Sequence, residues 1–509
     1  THSLKDGSQQ RPRTRRIRGM YIIEVASECA PVSKVGGLAD VVGGLSAELS
    51  LRGNAVEIIL PFYDCMRYDQ IFNLTVSYNY LPVPWFDGAI PCVVWFGLVH
   101  GRRCFFIDPQ SKDNFFRRNT FYGCDDDIMR FAFFSKAALE FMLQTNRRPD
   151  VIHCHDWQTG LLPVLLFEIY KFHGMENQRV CYTIHNFKHQ GKCGNEILAA
   201  TGLNRPEYYF DYQQLRDNHD PFALNCLKGG IVYSNFVNTV SMHHAWESRF
   251  TDYGFGLVHT LNMHQHKIGG ILNGIDYNTW NPEIDRFIPF QYTTATLENK
   301  YKNKEALRKR FWLYHDARPI ISYVGRLDNQ KGIDLICHTA HYAVNNGAQF
   351  VLLGTCSDHS IYEKFLSLKN QLNDNIHCHI ELGFDEDLSH LIYAGSDMVI
   401  VPSAFEPCGL SQMIAMKYGT IPVVRSTGGL VNSVFDRDYS DVPWYERNGY
   451  TFTHMDNCGI ESALKRAVGL YYDYPGHFRS LMEIAMSYDF SWNIPGKHYE
   501  NVFDFIKHK

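Results

Sequence analysis

Short apolar runs rich in Val, Ile and Tyr recur along the chain, each followed by a longer stretch with apolar residues at helical spacing. In the first half the predicted strands are "MYIIEVASE", "AVEIILPFY", "VVWFGLV", "CFFIDP", "DVIHCHDW", "RVCYTIHN" and "FVNTVS". In the second half they are "PIISYVGRL", "AQFVLLG", "IHCHIELGF", "DMVIVPSAFE" and "TIPVVRSTGG". Alternating strand and helix signals predict an α/β chain of parallel sheets wrapped on both faces. Residues 286–314 open near an Asn-Pro, carry Thr and Lys and lack a sustained strand signal, which predicts a crossing between two doubly wound domains, 20–285 and 315–485. No internal repeat of short fixed period is visible. Ligands of such sheets sit beyond the carboxyl ends of the strands, so two facing domains predict a ligand in the cleft between them.

Composition narrows this picture. At 509 residues the chain exceeds one ordinary domain of about 100–200 residues. With 45% hydrophobic and 20% charged residues it reads as globular, and a net charge of −5 argues against a nucleic-acid surface. Fourteen cysteines are scattered without a paired C-x-x-C, which predicts reduced thiols in a cytosol-like compartment. No apolar run approaches the roughly 20 residues a membrane-spanning helix needs. Residues 1–19 are polar and carry Arg11, Arg13, Arg15, Arg16 and Arg18; they read as a disordered lead-in, the tail of a transit peptide or linker, or an arbitrary start. The sequon at Asn73 reads as a chance match.

Five motifs carry candidate chemistry. Lys34-Val35-Gly36-Gly37-Leu38 joins a strand to a helix. A helix N-terminus attracts anions, glycines let a ligand approach the backbone, and the lysine adds a full charge. The plain alternative is a tight turn with an exposed lysine, and the stretch lacks the G-x-G-x-x-G of a dinucleotide site. A second strand–Gly-Gly–helix junction stands at Thr427-Gly428-Gly429, so the pair suggests a diphosphate and a sugar held between opposed helix ends. Arg326 and Lys331 follow a strand on one loop, where two cations neutralise a departing diphosphate or simply face solvent. Glu406 precedes Pro-Cys-Gly at a helix start and suits sugar hydroxyls or an anomeric carbon; Cys408 is either a thiol of lowered pKa or a buried one. His153, His155 and Asp156 are read against a metal site, because strand alternation puts the histidines on one face and Asp156 at the strand end. Asp156 and His185 read better as sugar contacts, and Asp125 to Asp127 as a solvated acidic loop.

With these motifs assembled, the chain resembles glycosyltransferase family 5, the bacterial glycogen synthases and plant starch synthases, and most of all the class III/IV starch synthases with Lys-Val-Gly-Gly-Leu. The likeness runs from Met20 to the end through "LPFYDCM", "DPQ", "FYGCDDD", "PDVIHCHDWQT", "ILNGID", "QKGIDLI", "FEPCGLSQMIAM" and "DFSW". It implies a GT-B fold of two Rossmann-like domains, with the last segment, 486–509, crossing back to the first. It implies transfer of glucose from ADP-glucose to the non-reducing end of an α-1,4-glucan (maltooligosaccharide, amylopectin or glycogen) with retained configuration, no metal or other cofactor, and no nucleic-acid or membrane partner. Lys34, Gly36 and Gly37 are implied to meet the diphosphate and glucose, and Arg326 and Lys331 the leaving ADP. Glu406 is implied to sit against the transferred glucose, with Asp156, His185 and Asn273 around it. Thr427, Gly428 and Gly429 are implied to hold the sugar and distal phosphate. Asp40, Gly325, Tyr393, Cys408, Gly409 and Leu410 complete the implied donor pocket. The implied compartment is a plastid stroma, or the cytoplasm in a bacterium.

The chain departs from the family at several places. Phe384 stands where most relatives stack a tyrosine on adenine, so a ring face remains without its hydroxyl. Gln158 replaces a histidine common in bacterial relatives, "VSMHHA" at 240–245 replaces "VSPTYA", and Ser426 replaces a lysine beside the second glycine pair. These changes bear on acceptor preference and nucleotide affinity. Competing readings are a catalytically weak glucan-binding scaffold, which would be expected to lose Lys34, Arg326, Lys331 or Glu406, and a synthase that uses UDP-glucose. A phosphorylase lacks its pyridoxal-phosphate lysine motif here, and a dehydrogenase its glycine fingerprint.

Overall fold

The computed structural model describes residues 19–509; the five arginines of the lead-in lie outside the described residues. A nine-stranded sheet forms the first domain, in the order Ile268–Gly270, Phe236–Thr239, Arg179–Ile184, Val151–His155, Tyr21–Val25, Ala55–Pro61, Arg102–Pro109, Gly88–Val99 and Phe72–Trp85. Its first seven strands are parallel, with Ile22 in register with both Val56 and Val151. The last two are antiparallel, a correction to the wholly parallel sheet expected. Strand Phe72–Trp85 escaped the reading of the sequence because it lies at the edge, largely exposed, and carries polar residues, two prolines and register shifts. A six-stranded, all-parallel sheet forms the second domain, in the order Cys378–Leu382, Gln349–Thr355, Ile320–Arg326, Met398–Val401, Ile421–Arg425 and Tyr450–Phe452.

Each sheet has its own core. Residues 286–314 are no bare crossing. Their helix Glu298–Phe311 buries Leu307 and Phe311 against Ile320, Val351 and Ile392 of the second domain. The Lys300 ammonium in this helix is buried and donates to the carbonyls of Tyr393 and Ala394 and to Thr420 Oγ1, and burial pulls its pKa down to about 7. Ile275, Ile288 and Tyr292 already belong to the second core, so the chain changes domains earlier than its sequence suggested.

The chain returns at its end. Helix Pro475–Ser487 still packs on the second domain, whereas Asn493–Lys507 lies on the first. Its Tyr499, Phe503 and Ile506, with Trp492, meet Ile22, Val41, Leu45 and Leu49. Gly44 makes this possible: a Cβ there would stand 2.1 Å from Trp492 Nε1. Asn54 Nδ2 donates to Glu500 (2.8 Å) and Asn238 Nδ2 to Tyr499 (2.8 Å), which gives both buried amide N–H groups a partner on the returning helix.

A second, polar joint connects the domains at helix Met242–Phe250, whose N-cap Ser241 accepts from the His244 N–H. Ser241 Oγ donates to the Pro407 carbonyl (2.5 Å), the His243 N–H to Asn432 Oδ1 (2.8 Å) and the Tyr253 hydroxyl to the Ala404 carbonyl (2.7 Å). Glu247 Oε1 accepts from Thr427 Oγ1 (3.0 Å) and from the Gly428 N–H (2.9 Å). Burial pushes this carboxyl up, but the hydrogen bonds of His243, His244 and Gly428 outweigh burial and hold its pKa at about 2. A depressed carboxyl stabilises the fold fully above its ordinary pKa and loses that contribution as pH falls toward its folded value. Glu247→Gln is therefore expected to cost about 2 kcal/mol at neutral pH, with a deficit that shrinks between pH 4.5 and 2. Thermal unfolding across that range checks it; a deficit that does not vary with pH contradicts the assignment.

Candidate functional site

The carboxyl ends of both sheets carry the predicted residues, and the loops that follow them face one another. After Tyr21–Val25 comes the Lys34–Gly37 loop. Glu28, which sequence reasoning passed over, organises it: its Oε1 accepts from the N–H groups of Val35 (2.6 Å) and Gly36 (3.0 Å), and Oε2 from Tyr122 (2.5 Å). Burial raises the Glu28 pKa against these bonds. The Gly36 N–H is thus engaged by Glu28 inside the protein. The glycines still leave room above them, since a Cβ on Gly36 or Gly37 would meet nothing within 4 Å. Lys34 is exposed and pairs with Asp40 at 2.8 Å. Burial raises the Asp40 pKa against the pull of Lys34, and the charge of Glu386 in the second domain adds to the rise. Phe384, two residues before Glu386, is 81% exposed.

Two further strand ends of the first domain bring Asp156 and His185 together. Asp156 adopts φ 55° and ψ −174°, a conformation costly to any residue with a Cβ, about 1–3 kcal/mol. The compensation is local: Asp156 Oδ1 accepts from the His185 N–H at 2.6 Å. Burial raises the Asp156 pKa to about 7 despite this bond and one from the Asn186 N–H. Behind them, Glu24 lies between His153 and His155. These three have ligand atoms close enough for a metal ion, but every ring nitrogen already has a hydrogen-bond partner, Thr183 for His153 and His185 for His155. The cluster holds itself together without one. Asp126 and Asp127 are likewise paired, with Arg118 and Arg130, and Asp127 also accepts from the N–H groups of Gly123 and Cys124. A cavity of about 420 Å³ lies beside them, lined by Asp125, Trp157, Lys188, His189 and Lys192.

In the second domain, Lys331 Nζ meets Glu406 Oε2 at 2.8 Å, and Ser403 Oγ donates to the same oxygen at 2.8 Å. Glu406 is only 8% exposed. The Ala404 N–H donates to the Gln330 carbonyl and Gln330 Nε2 to the Phe405 carbonyl, so the Lys331 and Glu406 loops are laced together. Arg326 remains 62% exposed at its side chain, 3.7 Å from Asp328. It faces the first domain: after burial and Lys188, its charge is what holds the His189 pKa below the ordinary value. Gly325, its neighbour, follows the same strand.

The second glycine pair is packed rather than open. Gly428 has φ +49°, and a Cβ there would stand 1.9 Å from the Glu406 carbonyl oxygen; the Gly429 N–H donates to the carbonyls of Glu406 and Pro407. Thr427 and Gly428 are bound by Glu247, as described above, so this junction fixes Glu406 and joins the domains. Gly409, at φ +79°, and Leu410 lead into helix Ser411–Lys417. Burial drives the Cys408 pKa up to about 12, which removes the activated thiol considered from the sequence. Tyr393 is 3% exposed, with its hydroxyl 2.8 Å from Ser411 Oγ; it supports the pocket from the core instead of lining it. Asn273, 6% exposed beside Cys408, keeps a buried Oδ1 without a partner. Such a buried acceptor is a site for a donor from outside the chain.

The arrangement can take an anion between Lys34, Arg326 and Lys331, and a polyhydroxyl ring near Glu406, Asn273, Asp156 and His185. Residues 21–263 match the starch synthase catalytic domain, and residues 305–450 match glycosyl transferases group 1. The chain is 64% identical to glycogen synthase 1 of Synechococcus sp. (strain JA-3-3Ab) and 61% identical to probable glycogen synthase 2 of Nostoc sp. (strain PCC 7120), over 96% of this chain and the whole of each relative. The catalytic domain of starch synthase IV from Arabidopsis thaliana, bound to ADP and acarbose, superposes with a TM-score of 0.93 at 43% identity, covering 97% of this chain and all of that one. A sucrose-phosphate synthase from Thermosynechococcus elongatus, at 18% identity and TM-score 0.60 over 96% of this chain, shares the GT-B fold alone. The chain belongs to the glycogen and starch synthases of glycosyltransferase family 5.

Proposed function

We propose that this enzyme transfers glucose from ADP-glucose to the non-reducing end of an α-1,4-glucan with retained configuration, elongating glycogen or starch. The observation that carries this is the part-buried Lys331–Glu406 pair, 2.8 Å apart, beside exposed Arg326. The ADP and acarbose bound by the Arabidopsis relative support an adenine nucleotide and a glucan-like ligand as partners.

Arg326 and Lys331 neutralise the diphosphate as its bond to the anomeric carbon breaks, which is stabilisation of charge developing in the transition state. Lys34 approaches the same charge from the first domain. Glu406, held in place by Lys331 and Ser403, sits against the oxocarbenium-like sugar. The acceptor hydroxyl attacks from the face that ADP leaves, and its proton departs with the diphosphate. The side-chain cations supply the positive charge, and this reading includes no metal. Phe384 offers its exposed ring to adenine. The cavity beside Trp157 and His189 gives an acceptor glucan a polar berth with one aromatic wall. The cyanobacterial relatives favour a bacterial cytoplasm over the plastid stroma.

Two outcomes are expected. Labelled glucose passes to maltooligosaccharides and glycogen from ADP-glucose and far more slowly from UDP-glucose; equal use of both sinks the donor assignment, and transfer from neither, with glucan still bound, favours the scaffold. Arg326→Ala and Lys331→Ala each lower kcat by roughly 100–1,000-fold with the fold intact, the usual loss when one charge-stabilising donor is removed. Near-normal turnover in either variant removes that residue from the mechanism.

A further inference from the structure

A continuous line of hydrogen bonds runs from the core of the first domain to the cleft. Glu24, on the central strand and fully buried, accepts His153 Nδ1 on Oε1 at 2.9 Å and His155 Nε2 on Oε2 at 2.7 Å. His155 Nδ1 in turn lies 3.0 Å from His185 Nε2, and the two rings stack at 5.3 Å between centroids. His153 Nε2 ends the line on the Thr183 hydroxyl, which donates or accepts equally well and so imposes nothing.

The direction of this line is determined by its buried end. A carboxylate only accepts, so the nitrogen of His155 that faces Glu24 carries the proton. Burial opposes ionisation of Glu24, but the two histidines outweigh it and keep the pKa at about 2, so the group is anionic at working pH. Burial also holds His155 neutral, with a pKa of about 4. A neutral ring protonated on Nε2 has a lone pair on Nδ1, so His155 accepts and His185 donates. Burial depresses His185 well below its ordinary range, which leaves one proton on that ring, already committed to Nε2.

We propose that Glu24, acting through His155, fixes His185 as the Nε2–H tautomer, so that Nδ1 meets the substrate as a hydrogen-bond acceptor for a sugar hydroxyl. His185 is then neither a general acid nor a phosphate-binding cation. Glu24 and His155 are positioning residues that touch no substrate. Naming a sugar hydroxyl rests on the glucosyltransfer reading above; the tautomer itself does not. The arrangement also gives a reason for a carboxylate in an otherwise apolar strand, "YIIEV", where its burial is costly unless its partners require it. A ligand hydroxyl that donates to Nδ1 adds to a line already polarised in one direction, whereas the opposite tautomer would set two nitrogen lone pairs against each other.

Neutron diffraction from deuterated crystals of the full chain tests this without any variant. The expected map has a deuteron on His185 Nε2 and none on Nδ1; a deuteron on Nδ1, alone or with one on Nε2, overturns the proposal. Kinetics supply an independent arm. Glu24→Gln replaces the all-acceptor group with one that also donates, and kcat/KM is expected to fall roughly 10–100-fold, as when the partners that orient metal-bound histidines are changed. In a His185→Gln background the same change is expected to cost nothing further, because Glu24 acts only through that ring. Full additivity of the two losses overturns the relay and makes Glu24 a general support of the fold. Should the wild-type chain transfer no glucose, the functional reading fails while the neutron result still decides the tautomer.

Discussion

The ion pair between Lys331 and Glu406 is the contact on which the rest of the site depends. Its side chains are only 17% and 10% exposed, and Ser403 binds the same carboxylate oxygen. Breaking such a pair from one side leaves an uncompensated charge, at a cost of about 3–5 kcal/mol. Around it the backbone is packed to the limit. The Glu406 carbonyl accepts from the Gly429 N–H, and its oxygen excludes any Cβ at position 428. A glycine pair that resembles a phosphate loop in sequence therefore acts first as the bed on which the carboxylate rests. The pair also gives the lysine two tasks in the proposed reaction, since Glu406 holds it in place and its charge is assigned to the donor diphosphate.

The first domain contributes in a complementary way. Its Lys34 loop is shaped by Glu28, and its strand ends carry Asp156 and His185, one in a costly backbone conformation and the other at the end of a buried hydrogen-bonded line. The Glu247 joint binds the two halves at one side of the cleft through Thr427 and Gly428, while the final helix ties them again through the core. The domains are thus linked at two places, and the cationic faces of Lys34 and Arg326 are left to meet a shared ligand.

Much of this was legible in the residues because strand period, glycine pairs and strand-end charges are local signals. The central strands of both sheets and the placing of Lys34, Asp156, His185, Arg326, Lys331 and Glu406 beyond strand ends follow from them. Edge strand Phe72–Trp85 was not legible, since an exposed strand with prolines and bulges lacks the alternation that marks a half-buried one. Glu28 and Glu247 were not legible either. Their roles depend on backbone N–H groups presented by distant loops, and a single glutamate in a helix or turn carries no pattern that announces a cap. The side chains of Tyr393 and Cys408 lie among the motif residues but are buried, because a motif records which residues travel together, not which way each side chain points.

The shared lysine is the central claim, and calorimetric titration of ADP into Lys331→Met and Glu406→Gln tests it most directly. If Lys331 serves both the carboxylate and the diphosphate, Lys331→Met weakens ADP binding by an order of magnitude or more, whereas Glu406→Gln frees the lysine and leaves ADP affinity unchanged or higher while transfer collapses. Equal weakening of ADP binding in both variants would contradict the account, because it would mean that the pair holds the loop's shape and that Lys331 does not itself meet the diphosphate.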